Sequence, residues 1–232
     1  MISAKDMFFK YEDKFVLKNI NIDIEEGSIT AIIGANGSGK TTLVKHFNSL
    51  LLPSKGSVTI DGMDTKKNEM EVRKKVGFVF QNFEDQLVYS IVQDDVAFGL
   101  ENMQLDRSMI KSIVEETLDK LKIRHIAESN VNMLSFGQKQ LVAIAGVIAM
   151  KPKYIVFDEP TTNLDVNNRK RFFNLVGELN TRENMTIVYV TNIIDDLKYA
   201  SHLVVLKNGE TIFAGKKTSM RNSDLKKAGL HE

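Results

Sequence analysis

The chain has 232 residues, 43% of them hydrophobic, and a formal net charge of +1. Its length and apolar content predict one large α/β domain, or a domain with a subdomain, around a sizeable core. The balanced charge shows no clustered basic excess, so nucleic acid is not an expected partner. The sequence contains no cysteine, which excludes disulfides and thiolate chemistry and fits a reducing cytosol.

Membrane insertion of the chain itself is not expected. The N-terminal residues lack the apolar core of a signal peptide. The longest unbroken apolar stretch, residues 141–150, has about half the length that spans a bilayer. Any association with a membrane is therefore expected to come through a partner.

Three β-strands are predicted near the start of the chain. The first two cover residues 2–9 and 15–24, and the second of them has isoleucine at alternate positions, which is typical of a half-buried strand. They predict an antiparallel β subdomain at the N-terminus. The third strand is the apolar run 29–33, which leads directly into a glycine-rich segment.

The glycine-rich segment matches the pattern G-x-x-x-x-G-K-[ST] between a strand and a helix. It consists of Gly34, Ala35, Asn36, Gly37, Ser38, Gly39, Lys40, Thr41 and Thr42. Glycines permit backbone turns that point successive N–H groups at one anion, and the helix predicted from about residue 40 adds its N-terminal dipole. In such a loop Lys40 reaches the β- and γ-phosphates and the Thr41 hydroxyl ligates Mg²⁺.

A plain glycine-rich turn is the alternative for this segment, but it would not need Lys40 and Thr41 where they stand. The segment therefore predicts a site for ATP with Mg²⁺. Tyr11, upstream among polar residues, is either a structural loop residue or an aromatic that stacks on adenine.

A buried strand over residues 76–80 ends at Gln81. Before it come a short strand over 57–60 and a charge-rich connector over 66–75, which is predicted to be a solvated face. A glutamine at a strand end can touch Mg²⁺ or the attacking water, or it can be an exposed strand cap. Both interpretations of Gln81 stay open at this point.

An inserted helical subdomain is predicted over about residues 85–150, because apolar residues there recur at helical spacing without a strand signal. Within it, Ser135 and Gln138 form an S-x-x-Q capping box ahead of an apolar helix. The segment is either a well-capped core helix or a second anion site at a helix N-terminus.

Two adjacent acids, Asp158 and Glu159, follow an apolar strand over residues 154–157. Beside a phosphate loop, the first acid holds Mg²⁺, usually through water, and the second polarises or deprotonates the lytic water. A solvated turn is the alternative. Downstream, Asp165 is the predicted N-cap of a helix.

The last core strand, over residues 186–190, ends at Thr191 and Asn192. A hairpin follows it, with strands over 203–206 and 211–214. The tail, about 216–232, is predicted to mix helix and loop.

The order of these motifs resembles the nucleotide-binding subunit of ABC transporters across nearly the whole chain. Within that family, segments 76–87, 96–102 and 138–146 are similar to the energy-coupling factor and cobalt-transporter (CbiO-like) ATPases. The resemblance implies that residues 1–232 form one ABC ATPase domain of the P-loop NTPase fold, with a mostly parallel core sheet. It also implies ATP hydrolysis coupled to import of a micronutrient or metal ion through integral-membrane subunits, at the cytoplasmic face of the cell membrane.

The resemblance further implies a head-to-tail dimer, with a second ABC ATPase subunit that is either a copy of this chain or a different one. ATP would lie between the phosphate loop of one subunit and Ser135, Gly137 and Gln138 of the other. Tyr11 falls at the adenine-stacking position of the family. Residues 82–89 fall where the family grips a helix of the membrane subunit.

Several positions depart from the family pattern. Phe136 stands in the signature where glycine is usual, Leu141 where arginine is usual, and Val166 where proline is common after the segment that begins at Asn163. Asn192 replaces the switch histidine. An amide can donate a hydrogen bond but never titrates, so we expect slow hydrolysis at the chain's own site.

Two other functions are compatible with the motifs. One is a regulatory subunit that clamps ATP with weakened hydrolysis, which Asn192 favours and the intact Glu159 opposes. The other is a soluble ABC ATPase of DNA repair or of ribosomes, although neither a second cassette nor a basic face is visible. Energy-coupling factor ATPases usually continue into a C-terminal extension that helps the subunits pair. For a sequence that ends at Glu232, the expectation is either weaker pairing or pairing that relies on the membrane subunit.

Overall fold

The computed structural model describes residues 1–221, so the predicted tail beyond residue 221 lies outside the described part of the chain. The chain forms two compact units: unit 1 combines residues 1–76 with the chain from Lys153 onward, and unit 2 is Gly77–Pro152. The interpretation of residues 1–232 as one domain, with a helical subdomain at about 85–150, stays a prediction.

The strands and helices follow one another in a mixed α/β order. In sequence they are β1 (Ile2–Tyr11), β2 (Lys14–Ile24), β3 (Ile29–Gly34), α1 (Lys40–Lys45), β4 (Lys55–Ile60), β5 (Met63–Asp64), α2 (Glu69–Lys75), β6 (Val76–Val79), α3 (Val92–Asn102), α4 (Arg107–Lys120), α5 (Phe136–Ala149), β7 (Tyr154–Phe157), α6 (Val166–Glu183), β8 (Thr186–Thr191), β9 (His202–Lys207) and β10 (Glu210–Lys216).

An antiparallel sheet in unit 1 has the strand order β2-β1-β4-β5. Ile2 of β1 lies opposite Ile24 of β2 on one side and Ile60 of β4 on the other, and all three side chains are buried. The predicted N-terminal antiparallel segment is therefore confirmed. Tyr11 is the last residue of β1 and not a loop residue, because it pairs with Lys14 across a tight turn.

The core strands of unit 1 lie in the order β10-β9-β3-β8-β7. β3 is parallel to both β8 and β9, β7 is parallel to β8, and only β10 runs antiparallel, against β9. All residues of β7 and β8 are buried, as expected for parallel strands covered on both faces. The predicted mostly parallel core is confirmed. Its consequence is that the carboxyl ends of β3, β7 and β8 meet at one edge.

One helical prediction in unit 1 was wrong, and one helix was not predicted. The helical spacing of Leu43, Val44, Phe47 and Leu50 predicts a longer helix after the phosphate loop, but α1 ends at Lys45, and Leu50 is exposed. The chain tightens there because the N–H groups of His46 and Phe47 bond carbonyls three residues back. The charged connector over 66–75 contains α2, whose first turn is acidic and whose last turn is basic, which suits the helix dipole.

Unit 2 is built mainly from α3, α4 and α5. Val96 and Leu100 of α3 are buried, as are Val142 and Ile144 of α5, so the predicted helical periodicity corresponds to a packed core. A 3₁₀ turn, Phe83–Gln86, precedes these helices. The predicted inserted helical element of the fold is confirmed.

His46 of unit 1 is fully buried just after α1, and its titration tests the packing around this helix. Its Nδ1 lies 2.7 Å from the Thr42 carbonyl, and burial lowers the pKa of His46 to about 4. Because unfolded histidine titrates near 6.5, the stability held by the neutral ring is complete above that pH and is lost as pH falls toward 4. We expect His46 to contribute about 2 kcal/mol to the loss of unfolding free energy between pH 7.5 and pH 5.

Urea unfolding at the two pH values measures this loss. His46→Leu should show a loss smaller by that amount, while the control His125→Leu, at an exposed histidine, should keep the wild-type pH dependence. Equal pH dependence in His46→Leu and the wild type would contradict the prediction.

Candidate nucleotide site

The phosphate loop joins β3 to α1 through backbone shapes that require glycine. Gly39, the N-cap of α1, has a φ of 101°, and a Cβ there would lie 2.7 Å from the Leu17 side chain. A Cβ on Gly34 would overlap the Leu206 carbonyl. Residues 35–37 form the exposed crest of the loop, and Ser38 is buried beneath them. The sequence pattern is therefore explained by close backbone approach.

The Lys40 side chain folds back toward the start of the phosphate loop. It is only 5% exposed, and its Nζ donates hydrogen bonds to the carbonyls of Gly34, at 2.9 Å, and Ala35, at 3.2 Å. The same Nζ lies 4.0 Å from Glu159 Oε1. Burial lowers the pKa of Lys40, and the nearby carboxylates of Glu159 and Asp158 oppose that shift. The ammonium group is thus directed at the region that the loop encloses.

Thr41 and Asp158 are brought together from distant parts of the sequence. The Thr41 hydroxyl donates to Asp158 Oδ1 at 2.9 Å, and Asp158 is 3% exposed. Desolvation raises the pKa of Asp158, and the Thr41 hydrogen bond opposes that shift. A hydroxyl and a carboxylate are hard oxygen donors of the kind that Mg²⁺ prefers.

The donor set for a metal is small. In residues 1–221 there is no cluster of three or more His, Cys, Asp or Glu side chains that could hold a metal ion. A divalent ion beside Thr41 and Asp158 would need further oxygens from water and from a phosphate chain. Such a small protein donor set suits Mg²⁺, which usually keeps several waters and binds together with its nucleotide.

Glu159 follows Asp158 with a left-handed backbone, at a φ of 48°. Its side chain is 13% exposed, and its Oε2 accepts a hydrogen bond from the Thr162 hydroxyl at 3.3 Å. Left-handed backbone is uncommon for a residue with a Cβ and is often found at functional sites. Asn192, half-buried, directly follows β8, the neighbour of β7, and so lies at the same sheet edge.

Tyr11 presents an exposed ring at the end of β1. Its side chain is 48% exposed, and one edge-to-face contact, with centroids 4.8 Å apart, holds the ring against Phe9. An aromatic face that is fixed and open to solvent can stack on a planar base.

The predicted capping box of α5 in unit 2 is present. Ser135 Oγ accepts from the Gln138 N–H, and Gln138 Oε1 accepts from the Ser135 N–H at 3.0 Å. A Cβ added to Gly137 would meet nothing within 4 Å, so its backbone is open to approach. Phe136, half exposed, packs edge-on against Phe83 with centroids 4.7 Å apart. The bulky signature residue thus has a packing partner of its own.

Segment 82–89 is held in place by contacts within unit 2. Gln86 bonds the backbone of the β6 region at both ends of its amide. Glu84 pairs with Lys139 of α5 at 2.6 Å. The segment borders a groove of about 250 Å³ that Val88 and Tyr89 line with exposed side chains. Gln81 precedes it in unit 2, exposed, directly after Phe80.

Sequence analysis missed two buried acids near the predicted functional segments. Asp95 of α3 is 8% exposed and accepts the N–H groups of Val88, at 2.6 Å, and Tyr89, at 2.9 Å, and burial raises its pKa. Asp196 is fully buried after β8 and bonds two threonines. For either acid, the only signal of burial in the sequence is that it stands where the helical spacing predicts an apolar residue.

A phosphate loop on a central parallel strand, faced by an acidic pair from the next strand but one, defines a P-loop ATPase. Comparison with known protein families identifies the family of this ATPase. The ABC transporter family profile matches residues 17–162. The chain belongs to the ABC transporter family, as one of its ATP-binding, ATP-hydrolysing subunits. The predicted resemblance and fold are thereby confirmed.

Individual relatives agree with this assignment. The energy-coupling factor transporter ATP-binding protein EcfA1 of Clostridium novyi is 43% identical over 93% of this chain and 79% of its own length. The solved structure of CbiO1 from Clostridium perfringens, part of the ABC transporter complex CbiONQ, has a TM-score of 0.87 at 35% identity, covering 99% of this chain and 94% of that one.

A dimeric structure is also similar. The ATP-binding cassette MJ0796, in a post-hydrolysis state with ADP and Pi, has a TM-score of 0.82 at 30% identity and covers 93% of this chain and 98% of its own.

Within residues 1–221, no helix is long and apolar enough to cross a membrane.

Proposed function

We propose that this chain is the ATPase subunit of an energy-coupling factor-type importer. It couples ATP hydrolysis to transport of a micronutrient or metal ion through integral-membrane partners, from the cytoplasmic face of the cell membrane. One observation carries the proposal: the phosphate loop contacts the acidic pair in a chain that is 43% identical to EcfA1. Lys40 Nζ lies 4.0 Å from Glu159 Oε1, and the Thr41 hydroxyl lies 2.9 Å from Asp158 Oδ1.

Each residue of this group has a distinct role. Lys40 exchanges its two loop carbonyls for the β- and γ-phosphates of ATP, while Gly34 to Thr42 surround the phosphates with backbone N–H groups. Thr41 and Asp158 would hold Mg²⁺, which would supply positive charge to the phosphates. Gln81 stays a prediction from the sequence as a further Mg²⁺ ligand. Tyr11 stacks on the adenine ring.

Hydrolysis is assigned to Glu159, whose carboxylate orients and deprotonates the attacking water. Asn192 occupies the switch position and donates a hydrogen bond toward the γ-phosphate. In a head-to-tail dimer, Ser135, Gly137 and Gln138 of the second subunit close the site in trans. The similar cassette MJ0796 is dimeric with ADP and Pi bound, which supports pairing of two subunits. Loss of the γ-phosphate removes shared contacts and lets the subunits separate.

Segment 82–89 is the proposed contact with the membrane subunit. Its groove has exposed Val88 and Tyr89 beside the polar rim of Glu84 and Lys139. A short amphipathic helix matches this mixture, since its apolar face can fill the groove while its polar side meets the rim.

Purification of the tagged full chain from detergent-solubilised membranes tests the proposal. We expect integral-membrane subunits and a second ATPase subunit to co-purify, with ATPase activity that needs Mg²⁺. Recovery without membrane proteins, with activity stimulated by nucleic acid, would instead support the soluble ABC ATPase and contradict the proposal.

Asn192→His should raise ATP turnover of the assembled complex by about tenfold, because imidazole can carry charge between the γ-phosphate and Glu159. Asn192→Gln is the matched control: it keeps a non-titrating amide and should not accelerate turnover. Steady-state phosphate release measures both. An unchanged rate for Asn192→His would count against a weakened native site.

A further inference from the structure

Asp196 is a fully buried acid in the 3₁₀ turn Ile194–Tyr199, which follows β8. One of its oxygens, Oδ2, accepts two hydrogen bonds, from the Thr161 hydroxyl at 2.6 Å and from the Thr191 hydroxyl at 3.0 Å. The turn itself is anchored, because the Tyr189 hydroxyl donates to the Asp196 carbonyl at 2.7 Å. The carboxylate therefore has a fixed position.

The two threonines connect Asp196 to both ends of the proposed hydrolytic machinery. Thr161 lies two residues after Glu159, and its side chain is buried. Thr191 directly precedes Asn192 and is also buried. A single oxygen atom thus joins the loop that presents Glu159 to the strand end that presents Asn192.

The other oxygen of Asp196 is directed at α6. Its Oδ1 lies 3.7 Å from Nε of Arg169, and the backbone N–H of Arg169 donates to the carbonyl of Asp165, the N-cap of α6. The start of α6, with the NLD segment before it, is thereby linked to the same carboxylate. Three segments that leave the sheet edge share one buried acid.

We infer that Asp196 is a positioning residue for ATP hydrolysis, which sets the distance between Glu159 and Asn192 through Thr161 and Thr191. The inference rests on the proposed function of this site. A buried carboxylate is costly compared with an apolar side chain, so stability alone explains it poorly. Displacement of a catalytic group by about 1 Å can reduce a rate on the order of a hundredfold.

Thr161→Val and Asp196→Asn test this role in the complex purified with the full chain. Each should lower kcat at least about tenfold while KM for ATP stays within about twofold, because neither residue is placed on the nucleotide. Thr161→Ser keeps the hydroxyl and should restore turnover. Thr181→Val is the matched control, since Thr181 is exposed and its hydroxyl donates to the Gly177 carbonyl within α6.

The two substitutions should also be non-additive. In the Asp196→Asn background, Thr161→Val should cost less than about half of its single effect on kcat in free-energy terms, since both act on one contact. Thr161→Val decides the question if Asp196→Asn does not fold.

Wild-type kcat in Thr161→Val, or a loss of kcat that vanishes after correction for the folded fraction, would overturn the inference. These outcomes differ from failure of the proposed function. There, the wild-type complex itself would hydrolyse no ATP.

Discussion

Glu159→Gln should lower ATP turnover at least about a hundredfold and leave ATP affinity within about twofold. The two side chains have nearly the same shape, so the left-handed backbone at residue 159 and its contact with Thr162 can persist. The amide cannot accept a proton from water. Loss of activity with binding retained therefore isolates the proton acceptor from the rest of the site.

The same variant should prolong the ATP-bound dimer. If the γ-phosphate joins the phosphate loop of one subunit to Ser135 of the other, an uncleaved γ-phosphate keeps those contacts in place. Size-exclusion chromatography with ATP and Mg²⁺ measures the dimer fraction, and phosphate release measures turnover. Glu178→Gln, the same change at an exposed position of α6, is the control and should match the wild type.

Turnover by Glu159→Gln near the wild-type rate would assign the proton acceptor elsewhere. Loss of turnover together with loss of ATP affinity would instead mean that the carboxylate mainly supports the loop through Lys40, 4.0 Å away. Both results contradict the role given to Glu159.

The parts of the fold that sequence analysis predicted are those with strong local signals. β3 and β7 are apolar runs, and Gly34 and Asp158 mark their ends. The contact of Thr41 with Asp158, 117 positions apart, agrees with the rule that parallel strands present their carboxyl ends at one edge, and with the Mg²⁺ role predicted for each residue. The capping box of α5 and the N-cap of α6 were equally local and equally predictable.

The features that were not predicted leave little signal in the local sequence. α2 has only Val72 buried, so its apolar periodicity is too weak to separate it from a solvated connector. The pairing of Tyr11 with Lys14 depends on turn geometry rather than on side-chain pattern. Asp196 stands beside another acid, Asp195, and apolar periodicity is too weak a signal there to show which of the two is buried.

Lys40→Met should weaken ATP binding at least about a hundredfold, because the buried charge-assisted contacts of one ammonium with phosphate are worth about 3 kcal/mol or more. Stability without nucleotide should change by only about 1–2 kcal/mol. Methionine removes the donors that the Gly34 and Ala35 carbonyls use, but it also removes a buried charge whose pKa burial already lowers.

Calorimetric titration with ATP and Mg²⁺ measures the affinity, and urea unfolding measures the stability. Lys74→Met makes the same change at an exposed lysine of α2 and should alter neither. ATP affinity near the wild-type value in Lys40→Met would refute the assignment of the phosphate loop.

Lys40→Arg separates charge from shape at the same position. Arginine keeps the positive charge, but its planar fork needs more room than an ammonium at a site that is 5% exposed and enclosed by two carbonyls. We expect Lys40→Arg to lower ATP affinity at least about tenfold relative to the wild type, because a misplaced guanidinium cannot reach both phosphates from within the loop. Full affinity in Lys40→Arg would show that positive charge alone suffices, and that the close fit of the loop around Nζ has no part in nucleotide binding.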